Sequence, residues 1–398
     1  MKAVGIVAEY NPFHNGHAYH IEQTKKMFDE DTAIVCVMSG NFVQRGEAAS
    51  FSKFARAKAA VRSSADLVLE LPLPWSLSSA EGFAGGAVAA LAATGVVDTI
   101  SFGSEEGSIA GLEHCARALL DSDIDEHIKL RLDTGISYAS ARQLALKEKF
   151  GAAAELIAKP NNILAIEYIK SIILLDLNIE PVTIKRRGAP HDEMAGGEMP
   201  SASFLRSKLA LGESLKGCVP DETLEVFEQE ILQGRGPVTM ESLEIALLSR
   251  LRMLDVNNFK KIPDASDGAG NRLYNALQNG VSIESILYEA KTKRYAMSRL
   301  RRMLMCAVLE VTADIKDSPL PYLRVLAANE KGRALLRDMT SMATLPIITK
   351  PSAVNSLSEE CRKLFDLESR ATDLFVLGYR TIEERKSGSD YRTSPFMI

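Results

Sequence analysis

The sequence predicts an α/β protein, with a parallel sheet laid down in its first half and a mainly helical second half. Three observations carry that expectation. Short apolar runs rich in Val and Ile alternate with helical patterns over roughly the first 215 residues. From about Cys218 those runs thin out and apolar residues recur at helical spacing. The first run ends in a turn, GIVAEYNPFHNGHAYH, that sets His14, His17 and His20 ahead of a helical pattern.

Taken in order, Ala3 to Val7 reads as the first strand and His17 to Phe28 as a helix. Ala33 to Met38 is a second apolar run. The helical stretch Lys53 to Ser63 leads to a third run, Leu67 to Leu71. Ala84 to Thr94 is a helix of small residues, followed by a fourth run, Val97 to Phe102. Ala139 to Phe150 and Ile163 to Leu175 look helical, and Pro181 to Lys185 makes a fifth strand. Strands alternating with helices imply right-handed βαβ units, whose ligands sit outside the carboxyl ends of the strands. The strand-end loops are Glu9 to Gly16, Ser39 to Gly46, Pro72 to Ser79, Gly103 to Gly107 and Arg186 to Ser203. In the second half, Leu243 to Leu254, Met297 to Val311 and Leu320 to Ala328 carry helical spacing, and Asp264 to Asn271 is a Gly/Asp loop. The division expected is residues 1–215 and 216–398.

Bulk properties narrow the class. A chain of 398 residues, 46% hydrophobic and 25% charged, suits a soluble protein of two or three domains with a large core. No apolar run approaches the ~18 residues of a membrane span, and the start lacks a signal-peptide pattern. Five scattered cysteines without a C-x-x-C pair argue against a disulfide framework or a cysteine zinc site. Reduced thiols and a cytoplasmic location are the expectation. The net charge of −5 means that any nucleic-acid contact must rest on a local basic patch.

Three readings of the histidine turn stay open on the residues alone: a zinc site, a helix-capping turn, and a phosphate site. For the last, Asn15-Gly16 permits a tight turn with backbone close to a ligand. The helix that follows would present unpaired N–H groups and its positive dipole end to an anion. Imidazole N–H groups would add directional donors to phosphate oxygens. One local basic patch is visible: Lys291, Lys293, Arg294, Arg299, Arg301 and Arg302 fall within twelve residues without an acid, as cations on one side of a helix suited to RNA phosphates. Lys185-Arg186-Arg187 and Lys53, Arg56 and Lys58 are further candidates for that track.

His14-Asn15-Gly16-His17 after a first strand resembles the H-x-G-H signature of the nucleotidyltransferase superfamily. Ser201-Ala202-Ser203-Phe204-Leu205-Arg206 resembles its I-S-S-T-x-I-R motif, whose hydroxyls and arginine hold phosphates. Longer strings, VAEYNPFHNGHAYH, MSGNFVQRGE, ADLVLELP, FGSE, KPNNILAIEY, IKRRGAPHDE, KRYAMSRLRRML and PYLRVLA, are similar to the bacterial tRNA(Met) cytidine acetate ligase family along the whole chain.

That resemblance implies a Rossmann-like, HUP-type nucleotidyltransferase sheet domain followed by a mainly α-helical one. The implied activity is acetylation of the wobble cytidine of elongator tRNA(Met) to N4-acetylcytidine, from acetate and ATP with Mg²⁺, through an acetyl-adenylate. Carried over, the ATP site comprises Val7, Ala8, Glu9, Tyr10, Asn11, Pro12, Phe13, His14, Asn15, Gly16, His17, Ala18, Tyr19, His20, Gly103, Asn161 and Arg186. Asn162 and Arg187 are the neighbouring alternatives. His14 and His17 would be catalytic, and Ser201, Ser203 and Arg206 would hold the departing pyrophosphate. The sequence departs from the family at Pro190, where a tyrosine is expected before His191-Asp192, the candidate base pair for acetyl transfer. Two other functions are compatible with the residues: a nucleotidyltransferase with a small-molecule acceptor, and a non-catalytic ATP-dependent RNA-binding module.

Overall fold

The structure, a computed structural model, describes residues 1–28, 31–186 and 199–398. Ten strands are found among them. β1 is Ala3–Ala8, β2 Ala33–Ser39, β3 Phe42–Val43, β4 Glu47–Ala48, β5 Leu67–Leu71, β6 Thr99–Ser104 and β7 Glu180–Lys185. β8 is Leu323–Ala328, β9 Ile347–Ile348 and β10 Phe396–Met397. The main sheet runs β10-β8-β5-β2-β1-β6-β7, with β9 also paired to β8, and β3 and β4 form a separate hairpin.

The five strands anticipated in the first half are all present and mutually parallel. β2 reads AIVCVMS and all seven residues are buried, as a central strand covered on both faces requires. β1 carries Gly5 because Leu91, on the helix Ala80–Ala93, lies 2.7 Å from where a Cβ would sit. Sheet order reverses beside β1: β2 lies on one side and β6 on the other. That is the switch point at which an open α/β sheet leaves a crevice for ligands. Helix α1, Asn15–Met27, starts directly at its mouth.

The second half corrects one expectation. Leu320 to Ala328, read as helical, contains β8, whose six residues are all buried and run antiparallel to β5. In LRVLAA a single Arg324 interrupts an otherwise apolar run, too short to show a period that distinguishes strand from helix, and Pro321 stands just ahead of it. The sheet therefore takes strands from both sides of residue 215 and is mixed in direction. The other two stretches are helices, Met240–Arg252 and Met297–Leu309.

An ionic knot fastens this return. Lys53 Nζ donates to Glu70 at 2.7 Å and Asp390 at 2.8 Å, and Arg324 Nη1 lies 2.9 Å from Asp390 and 3.1 Å from Glu70. All four are buried. Lys53 and Arg56, expected on a basic track for RNA, are instead interior groups. Arg56 is fully enclosed and donates to the backbone carbonyls of Glu9, Ser39, Gly40 and Phe51. Its guanidinium ties the loops after β1 and β2 to one point.

Candidate active site

The chain leaves β1 through Tyr10, held at φ 47° in the left-handed region. Burial of its ring and a 3.2 Å contact from its hydroxyl to Cys36 Sγ accompany that conformation. Asn11 is buried and its Oδ1 accepts the Ser50 N–H at 2.8 Å. The peptide then reaches His14, which caps α1.

The cap settles the imidazoles' tautomers. His14 Nδ1 accepts the Gly16 N–H at 3.0 Å, and His17 Nδ1 accepts the His14 N–H at 3.2 Å. Each neutral ring therefore carries its proton on Nε2. The two rings lie 3.8 Å apart between centroids. Burial, then the Arg186 and Arg206 charges, hold the His14 pKa down at about 3. Burial and the neighbouring His14 and Arg186 push His17 well below the usual histidine value. His20, whose Nε2 pairs with Ser101 Oγ at 3.0 Å, is lowered to about 4 by burial and Arg186. Capping and phosphate recognition are thus compatible readings of the same turn. Among the described residues no three His, Cys, Asp or Glu side chains come together to hold a metal ion.

One expectation about the helix start is corrected. Its first N–H groups are not left for a ligand: Asn15 donates to the Cys218 carbonyl at 3.2 Å, Gly16 to His14 Nδ1, and His17 to the His14 carbonyl at 2.8 Å. The imidazole Nε2–H groups and the helix dipole remain.

These groups face a cavity of about 660 Å³ at the switch point. Of the residues expected there, Val7, Ala8, Glu9, Tyr10, His14, Gly16, His17, Tyr19, His20, Gly103, Asn161, Arg186 and Ser201 line it. Others stand behind the lining. Phe13 and Ala18 pack into a core cluster, and Asn15 Nδ2 donates to the Gly217 carbonyl at 3.0 Å. Arg206 donates to the Asn11 carbonyl at 3.1 Å and to Ser203 Oγ at 3.2 Å, which clamps the second motif to the first. Ser201 caps the helix Ala202–Ala210 by accepting the Phe204 N–H.

The adjacent asparagines divide their work. Asn162 is fully buried, and its Oδ1 accepts the N–H groups of Glu105 and Glu106 at 2.9 and 3.2 Å. Asn161 faces the cavity, donates to Glu105 Oε1 at 2.6 Å and accepts from Arg186 Nη1 at 3.3 Å. Gly103 lies in β6 where a Cβ would meet the Arg186 side chain at 3.3 Å. Pro190, Arg187, His191 and Asp192 lie outside the described residues.

Sequence reasoning assigned no role to several lining groups. Phe83, Phe102, Leu164 and Tyr168 give the cavity an apolar wall, and Gln44 and Arg45 enter from the turn between β3 and β4. The Gln44 N–H donates to Glu9 Oε1 at 2.8 Å, so that acid fixes the turn. Position in a strand-end loop was the available signal for Gln44 and Arg45; nothing marked the aromatic wall.

The basic segment does not form one helix face. Lys291, Lys293 and Arg294 are exposed in the connection before Met297–Leu309, and Arg294 pairs with Asp267 at 3.1 Å. Arg299 donates to the Asp264 carbonyl, Arg301 to Glu47 Oε1, and Arg302 is buried. Arg301 and Arg302 also line the switch-point cavity.

The model of the family described as HIGH Nucleotidyl Transferase matches residues 1–390. The tRNA(Met) cytidine acetate ligase of Acetivibrio thermocellus is 37% identical over 411 residues, covering 98% of each chain. That of Thermoanaerobacter sp. (strain X514) is 39% identical over 390 residues, covering 96% of each. The chain belongs to the tRNA(Met) cytidine acetate ligase family. Thermotoga maritima TmcAL in its apo form I is 34% identical over the full length of both chains, with a TM-score of 0.94. The same protein bound with alpha-thio ATP superposes with a TM-score of 0.92. Family membership and the α/β nucleotidyltransferase fold thus agree with the resemblance carried by the two motifs.

Proposed function

We propose that this chain acetylates the wobble cytidine of elongator tRNA(Met) to N4-acetylcytidine, consuming acetate and ATP and releasing AMP and pyrophosphate. The observation that carries the reading is the pair of neutral imidazoles, their Nδ1 atoms engaged in the helix cap, that line a cavity at the switch point together with Arg186. The first step is attack of an acetate oxygen on the α-phosphorus, with the bond to the β-phosphate breaking. Such chemistry asks the protein for positioning and charge neutralisation. His14 and His17 donate to phosphate oxygens as charge shifts onto them, and because both rings are neutral beforehand they cost no prior charge burial. Arg206, Ser201 and Ser203 hold the departing pyrophosphate, and Arg186 with Asn161 positions the α-phosphate and ribose. The apolar wall of Phe83, Phe102 and Tyr168 suits the adenine. Mg²⁺ would ride on the phosphate oxygens and water rather than on a protein cluster.

The acetyl-adenylate then meets N4 of a wobble base that has left its stack. Residues 1–215 supply the nucleotide chemistry. Residues 216–398 supply RNA contacts first through the exposed Lys291, Lys293 and Arg294, with Arg299, Arg301 and Arg302 held inward by Asp264 and Glu47, while lending three strands to the sheet. A tRNA substrate supports a cytoplasmic location. No helix among the described residues is long and apolar enough to cross a membrane. The test mixes protein, ATP, labelled acetate and total tRNA and identifies the labelled nucleoside. Label in N4-acetylcytidine of tRNA(Met) is expected. Label in no nucleoside would remove the reading, and label in a small molecule without tRNA would move the acceptor.

A further inference from the structure

The turn of residues 44–47, inside the string MSGNFVQRGE, stands between two cavities. Gln44 and Arg45 line the nucleotide cavity, while Gly46 and Glu47 line a second one of about 690 Å³. Arg301 and Met297 border both, so the two spaces meet at that edge. The partition is stiff. Gly46 sits at φ +76°, and a Cβ there would come within 2.6 Å of the Arg301 and Arg302 backbone. Arg301 Nη1 donates to Glu47 Oε1 at 2.6 Å, which aims that carboxylate along the shared edge. Tyr288, 61% exposed on the helix Ile283–Ala290, lines the second cavity as well.

The chemistry of this space is unlike that of its neighbour. Four acids, Glu47, Glu241, Glu244 and Glu284, line it together with three bases, Arg206, Lys291 and Arg301, so it offers carboxylates to the amino group of a base and cations to the backbone phosphates beside that base. A carboxylate is the natural acceptor for the N4 amino group of cytosine, and an exposed aromatic ring is the natural platform for an unstacked base. The volume falls in the range of small-ligand sites.

We infer that the second cavity is the subsite for the extruded target base, with Tyr288 as its stacking surface and Glu47 as the carboxylate that receives N4. The inference rests on the reading given under Proposed function and adds the acceptor's place to it. In the transfer step the N4 lone pair forms the new N–C bond to the acetyl carbon. The C–O bond to AMP breaks and its electron pair leaves with the phosphate. One N4 proton passes to the Glu47 carboxylate. Arg301 keeps that carboxylate in position and is a positioning residue.

The experiment measures two partial reactions on the full chain: acetate-dependent exchange of pyrophosphate into ATP, and transfer of labelled acetate to tRNA. Glu47→Gln should lower kcat for transfer by about 10²-fold, the contribution of a general base, and by at least ~30-fold more than it lowers exchange. Tyr288→Ala, at an exposed position that folding tolerates, should raise KM for tRNA about tenfold, as loss of one stacked base does. Tyr288→Phe should restore it. Equal losses of exchange and transfer in Glu47→Gln, or a Tyr288→Ala variant with unaltered transfer, would overturn the inference. Wild-type protein that shows no exchange, or exchanges but labels no tRNA, would instead overturn the parent reading.

Discussion

Two regions of this molecule bury charge, and they do so in opposite ways. In the knot behind the sheet, Lys53 and Arg324 face Glu70 and Asp390 at 2.7 to 3.1 Å. Burial raises the Asp390 carboxyl, but the Arg324 and Lys53 charges outweigh it and hold its pKa below the usual value. Glu368 is the surplus acid: burial and the Glu70 charge push it up to about 7, and it accepts from the Tyr322 hydroxyl at 2.6 Å and the Leu73 N–H at 3.0 Å. Around the switch-point cavity the balance is different. Arg186 and Arg206 stand beside imidazoles held neutral, while the nearby acids Glu9 and Glu105 are occupied by N–H donors. Closed charge is architecture; an excess of cations beside neutral donors suits an anion.

The largest expected effect tests the closed side. Lys53→Met should leave two buried carboxylates without their ammonium and cost about 3–5 kcal/mol of stability, read by denaturant unfolding. A loss under about 1 kcal/mol would show that water or Arg324 alone satisfies the knot. On the open side, His17→Ala should lower acetate-dependent pyrophosphate exchange by about 10²–10³. Its stability should fall by only ~1 kcal/mol, the worth of the capping bond it removes. If the two variants exchanged these signatures, the distinction between the regions would collapse.

Protons sharpen the same contrast. In the unfolded chain His14 has its ordinary pKa near 6.5, and in the folded protein it is held at about 3. Between those values the unfolded state binds the proton and the folded state does not. The stabilisation is therefore complete above pH 6.5 and is lost as pH falls through the window, by at most about 1.4 kcal/mol per unit. His14→Gln should flatten that slope in pH-dependent unfolding. Bound triphosphate favours the protonated ring, so nucleotide binding below pH 6.5 should take up protons, measurable by calorimetry in buffers of different ionisation enthalpy. Proton release on binding would contradict the open-site picture.

What was legible in the sequence follows the same division. The parallel strands announced themselves because each is a short β-branched run bounded by turn residues. The phosphate motifs did so because a tight turn and a helix cap need particular side chains at fixed spacing. Long-range partnership left no local mark. Arg324 lies in a run that reads as helical and Lys53 in one that reads as a surface helix, yet each is buried because a carboxylate far along the chain meets it. Asn161 and Asn162 are indistinguishable by type; the Glu105 turn decides which of them faces the cavity. Gly46 looked like an ordinary loop glycine, and its need for a bare backbone comes from a helix some 250 residues later.

The smallest effect expected lies at the surface, where the sequence offered a basic run and the structure split it. Lys291 and Lys293 are exposed ahead of the helix, whereas Arg301 and Arg302 are tied to Glu47 and Asp264. Free cations release counterions when they meet RNA phosphate, and cations already paired release fewer. Each of Lys291→Ala and Lys293→Ala should therefore lower the slope of log K for tRNA against log salt by about 0.7–0.9. Arg302→Ala should change that slope less, since its guanidinium is enclosed, and should act through the cavity it lines. Titrating tRNA binding from low to moderate salt for the three variants separates the groups. Equal slopes for all three would mean that Arg302 turns outward when RNA binds, and the partition between surface and site would have to be redrawn there.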